Sequence, residues 1–78
     1  MGIVVPPGDI VRAIARLADI DDQRVSLTTR LDELVSDSFV LVQLAIDIQD
    51  EFDVVFYAED LGAVQDVADL VELVRSRL

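Results

Sequence analysis

The sequence predicts an all-α fold, a small four-helix bundle of three main helices and one short one. Apolar residues recur at spacings of three and four in three separate segments, and an aspartate (Asp9, Asp37 or Asp66) stands where each could be capped. Hydrophobic residues make up 53% of the chain and the mean hydropathy is +0.45, which is enough apolar material for a core. No alternating run is long enough for a sheet. At 78 residues this is a single domain, 1–78, whose core supplies only roughly 3–5 kcal/mol of stability.

Residues 1–8 contain Pro6, Pro7 and Gly8 and read as an extended lead-in, with Asp9 as the cap of the first helix. Ile10, Ala13, Ile14, Leu17 and Ala18 then lie on one helical face, so that helix should run to about Asp19. A long polar connection comes next, pinned to the core at Val25, Leu27, Leu31 and Leu34, and connections of this length often carry short helical turns. Asp19, Asp21 and Asp22 do not form a calcium loop, since the central glycine and terminal glutamate are missing.

The next helix should start at Asp37 or Ser38 and end near Phe52, with a core stripe of Leu41, Leu44 or Ala45, Ile48 and Phe52. A second apolar stripe, Phe39, Val42 and Ile46, has the same spacing on another face. Such a helix is either buried on two sides or offers one stripe to a partner. The stretch "FDVVFY" is weakly strand-like, and a helical turn at Ala58 to Leu61 should end at Gly62 as its C′ residue. The last helix begins at Asp66, with Asp69 in capping-box position. Val67, Leu70, Val71 and Val74 face inward, and Arg75 and Arg77 stand at the negative end of its dipole.

Composition excludes several functions. Without cysteine or histidine there are no disulfides, thiolate nucleophiles, zinc-finger ligands or Ser-His arrangements, so chemistry at a serine must be driven by another protein. Six basic residues against 16 acidic ones give a net charge of -10, the wrong sign for nucleic acid or an anionic membrane and the right one for basic protein partners. The apolar runs are far shorter than the roughly 18 residues of a membrane helix. No signal peptide is visible, and Gly2 lacks a myristoylation context, so a cytoplasmic monomer is expected.

Ser38 stands at a helix entrance directly after Asp37, where a dipole stabilises a phosphate and an apolar stripe leads away along an acidic surface. A serine at such a place is ordinarily only a cap, but Asp37 already fills that role. The segment "TRLDELVSDSFVLVQLAIDIQDEF", residues 29–52, resembles the acyl carrier protein and peptidyl carrier protein family. The shared features are Leu31, Leu34, Asp37-Ser38 before an apolar residue, and the amphipathic helix closing on Glu51-Phe52. "VQDVADLV", residues 64–71, is similar to the family's last helix, so the likeness runs from about Ile10 onward.

The resemblance implies that Ser38 receives 4′-phosphopantetheine from coenzyme A through a Mg²⁺-dependent phosphopantetheinyl transferase. The arm's thiol would hold an acyl or aminoacyl group as a thioester, making the protein a carrier and not an enzyme. No resident metal site is expected. Phe39, Val42 and Ile46 would then be the apolar part of a docking face, with Asp37, Asp47 and Asp50 meeting basic residues of acyl-loading and chain-processing enzymes. Phe56 and Leu61 are candidates for lining an acyl channel, or are ordinary core residues.

Departures from the familiar pattern are Val35 where many members have glycine, Phe39 for leucine, Gln43 and Gln49 for glutamate, and "VVFYAEDLG" for an acidic, proline-containing segment. They favour polyketide, nonribosomal peptide or other specialised-metabolite biosynthesis over a housekeeping fatty-acid role. The start at Met1 and end at Leu78 favour a freestanding carrier, although an excised domain would look similar. The reading from another class is an unmodified acidic helical adaptor that binds one protein partner.

Overall fold

The computed structural model describes residues 5–78. Among the described residues five helices occur in order: α1 (Pro7–Leu17), α2 (Leu31–Leu34), α3 (Ser38–Phe52), α4 (Ala58–Ala63) and α5 (Val67–Arg77), with a 3₁₀ turn at Asp22–Arg24. The long helices α1, α3 and α5 pack around one apolar core, and the two short ones close its sides.

Helix α1 begins earlier than expected. Pro7 and Gly8 are helical, Pro6 is the N-cap, and the Asp9 amide donates to the Pro6 carbonyl at 3.0 Å. Proline suits the first helical position because its φ is preset and no amide is needed there. Asp9 is therefore an acid of the first turn, paired with Arg12, and not the cap. Residues 1–4 of the expected lead-in lie outside the described residues. Ile10, Ala13, Ile14 and Ala15 are buried.

The connection after α1 is pinned, but partly by other means than expected. Val25 and Leu31 are buried and Leu34 half-buried, whereas the Leu27 side chain is 46% exposed. Its carbonyl does the anchoring instead, accepting from the Ala68 amide at 2.9 Å. Alongside, Leu31 donates to the Gln65 carbonyl at 3.0 Å and Val67 to the Thr29 carbonyl at 2.9 Å, around an isolated antiparallel bridge between Arg30 and Asp66. This backbone lacing joins the connection to the start of α5.

Helix α3 buries Leu44, Ala45 and Ile48, with Leu41 and Phe52 half-buried, as its inner stripe requires. It stops at Asp53, which takes a left-handed backbone (φ 55°), a conformation a short polar side chain tolerates. The "FDVVFY" stretch forms no strand. Val54 and Phe56 point inward and Val55 and Tyr57 outward, but the Phe56 amide donates to the Gln49 side-chain oxygen at 2.7 Å instead of to a neighbouring strand.

Helix α4 runs through Gly62 to Ala63, so Gly62 is not a C′ residue; its backbone has no positive φ, and the chain leaves the helix at Val64 in extended conformation. None of α4's residues is buried. It is held through its first turn by Asp60, whose carboxylate caps the Tyr57 amide at 2.8 Å and pairs with Arg77 of α5 at 2.8 Å. Arg77 also lies 5.6 Å from the centre of the Tyr57 ring. In α5, Val67, Leu70, Val71 and Val74 are all buried, as their spacing predicts. Only half of the capping box forms. Asp66 accepts from the Asp69 amide at 2.9 Å, while Asp69 reaches past it to the Gln65 amide at 3.1 Å.

Candidate functional site

The chain approaches α3 in extended conformation through Val35, whose side chain is buried. This explains the departure from glycine there: φ is -132°, which any residue adopts, and the side chain contributes to the core. With Val35 inside and Leu44 inside, the residues between them are carried on a fixed platform.

Asp37 is the N-cap of α3. Its carboxylate accepts from the Phe39 amide at 2.9 Å and its carbonyl from the Leu41 amide at 3.1 Å. Ser38 is therefore the first helical residue, exposed and relieved of the capping role. Its hydroxyl sits at the positive end of a 15-residue helix, a favourable place for an anion. Beside it opens a groove of about 330 Å³ between α2, the head of α3 and the α4–α5 junction, walled by Arg30, Val35, Leu41, Val64 and Gln65 among others. A larger cleft of about 590 Å³ lies at the other end of α3, between α1 and Phe52, where Arg12 and Arg16 are already matched by Asp9 and Glu51.

The second apolar stripe is exposed. Phe39 is 76% accessible, and Val42 and Ile46 are also open to solvent. At 100° per residue, Phe39, Ile46 and Asp50 occupy the middle of the outer face, with Val42 and Asp47 at its flanks. Asp47 accepts from the Gln43 side chain at 3.2 Å, one turn away. Gln49 does not join this surface; by accepting from Phe56 it fastens the segment after α3, a structural task that spacing alone does not reveal. Phe56 sits in the core, and Leu61 packs against that core from α4.

The residues fit a covalently carried phosphate ester, with an exposed hydroxyl at a helix head, no bulky neighbour closing over it and open space alongside. Sequence reasoning passes over two residues. Arg30 borders this groove, and Asp60 ties α4 to α5; both placements depend on chain segments far apart in sequence. Among the described residues no cluster of acidic side chains is arranged to hold a metal ion, and no helix is long and apolar enough to cross a membrane.

A family model described as the phosphopantetheine attachment site matches residues 8–74, nearly all of the described structure. Matched over that span, with the fold and the helix-head serine in place, the chain belongs to the phosphopantetheine-binding carrier proteins, which carry 4′-phosphopantetheine covalently and tether acyl groups through it.

Proposed function

We propose that Ser38 is the attachment residue and that the protein carries acyl or aminoacyl intermediates for polyketide or another specialised biosynthesis. The observation that carries this is the exposed Ser38 hydroxyl at the head of α3, immediately after a cap supplied by Asp37. The hydroxyl oxygen would form a phosphodiester as the pyrophosphate bond of coenzyme A breaks, the nucleotide half leaves, and a base on the transferase takes the proton. No base is needed in the carrier, consistent with a chain that has no histidine. When bound, the arm supplies the thiol that the protein lacks.

Phe39, Val42 and Ile46, with Asp37, Asp47 and Asp50, form the proposed docking face for the transferase and the loading and processing enzymes. Exposed apolar anchors among carboxylates favour fast, exchangeable binding to basic partners. Phe56 and Leu61 are the residues proposed to border an acyl channel; opening one would require α4 to shift, and α4 buries no residue of its own. Gln43 in place of an acid, and Phe39 in place of leucine, support a specialised over a fatty-acid role, whereas Gln49 is accounted for by its bond to Phe56.

Intact-protein mass after incubation with coenzyme A, Mg²⁺ and a broad-specificity phosphopantetheinyl transferase tests the assignment. A single phosphopantetheinyl increment is expected on wild type and none on Ser38→Ala. That variant should unfold within about 0.5 kcal/mol of wild type, because an exposed first-turn hydroxyl is replaced by a good helix former. Folded wild type that stays unmodified by several transferases would overturn the assignment in favour of a non-covalent adaptor. Loading by an adenylating enzyme would indicate a peptidyl role, and by a malonyl transferase a polyketide or fatty-acid one.

A further inference from the structure

We propose that Arg30 holds the phosphate of the group carried on Ser38 and thereby sets the direction in which the pantetheine arm leaves the protein. This rests on Ser38 being the attachment residue. All six basic residues are arginines, and Arg30 is the one that walls the groove beside Ser38. Arg12 and Arg16 border the cleft at the far end of α3, Arg75 and Arg77 end α5, and Arg24 borders a separate hollow near Glu33.

Its backbone and side chain are held very differently. The backbone is clamped by the bridge to Asp66 and by the Leu31–Gln65 and Val67–Thr29 hydrogen bonds on either side. The guanidinium, by contrast, has among the described residues a single contact at the long end of hydrogen bonding, Nε to the Asp32 carboxylate at 3.4 Å, with both side chains more than half exposed. A contact of that kind is worth little and can be exchanged for a better acceptor. A guanidinium fork matches two phosphate oxygens at once, which an ammonium cannot do.

The electrostatics call for such a group. A phosphodiester on Ser38 adds a negative charge to a chain already at -10, beside groove carboxylates Asp32 and Asp37. Arg30 offsets that repulsion on the groove side and draws the phosphate toward Val64 and Gln65, away from Phe39 and Ile46. The arm is thus directed along the groove while the outer face of α3 stays open to partners. Arg30 is in this sense a positioning residue.

The test compares apo and holo protein, with loading verified by intact mass for wild type, Arg30→Gln and, as control, Arg24→Gln. In wild type the Arg30 Nε–H resonance should shift on conversion from apo to holo. The ³¹P resonance of the phosphodiester should shift in Arg30→Gln and stay put in Arg24→Gln, and the difference should shrink at high salt, where such contacts are screened. An Arg30 Nε–H resonance identical in apo and holo wild type overturns the proposal, as does a ³¹P resonance unmoved by Arg30→Gln. The wild-type comparison stands even if a variant fails to fold. Wild type that takes no phosphopantetheine overturns the Ser38 assignment and this proposal with it, whereas loading without any Arg30 response overturns this proposal alone.

Discussion

Ile46 and Ile48 are the same residue two positions apart on α3, yet one is 44% exposed and the other fully buried. The helix is apolar on both sides, and the two sides answer to different demands. Ile48, with Leu44 and Ala45, holds α3 against the core. Ile46, with Phe39 and Val42, remains open to solvent and adds little to the core, and it is this side that the proposed function assigns to partners.

Paired substitutions should separate the two faces. Ile48→Ala is expected to cost about 2–5 kcal/mol, most or all of the stability of so small a domain, as read by chemical or thermal denaturation. Ile46→Ala should change stability by no more than about 0.5 kcal/mol. Equal losses would mean that the outer stripe is also structural. Next in size, Phe39→Ala should weaken binding to a phosphopantetheinyl transferase about tenfold or more, the usual effect of truncating an aromatic anchor, while the melting temperature holds. An unchanged affinity would remove Phe39 from the docking face.

Smaller effects are expected at the helix ends. Asp37→Ala removes the cap of α3 and should cost about 0.5–2 kcal/mol, measured by denaturation of the apo protein. Asp53→Gly relieves a left-handed residue while loosening the unfolded chain, so its net effect should be a few tenths of a kcal/mol in either direction. A larger loss there would show that the Asp53 side chain supports the end of α3.

Much of this architecture is legible locally. The inward faces of α1, α3 and α5 follow from 3–4 spacing, and Asp37 and Asp66 mark helix starts because a carboxylate satisfies amides two or three residues ahead. Local reading fails where one signal competes with another. Asp9 has the character of a cap, but Pro6-Pro7 starts the helix sooner; Gly62 has the character of a stop, but a short helix passes through it. "FDVVFY" has the alternation of a strand and finds no partner strand, since Gln49 takes the Phe56 amide.

The sequence by itself determined the helical class, the inner stripes, the acidic surface and Ser38 at the head of α3, because each depends on residues within a turn or two of one another. Tertiary structure alone decided that Leu27 anchors through its carbonyl, that Asp60 meets Arg77, and that Arg30 stands beside the groove at Ser38. Those placements come from packing α5 against the connection before α3, and a contact between distant segments leaves no period in the chain that forms it.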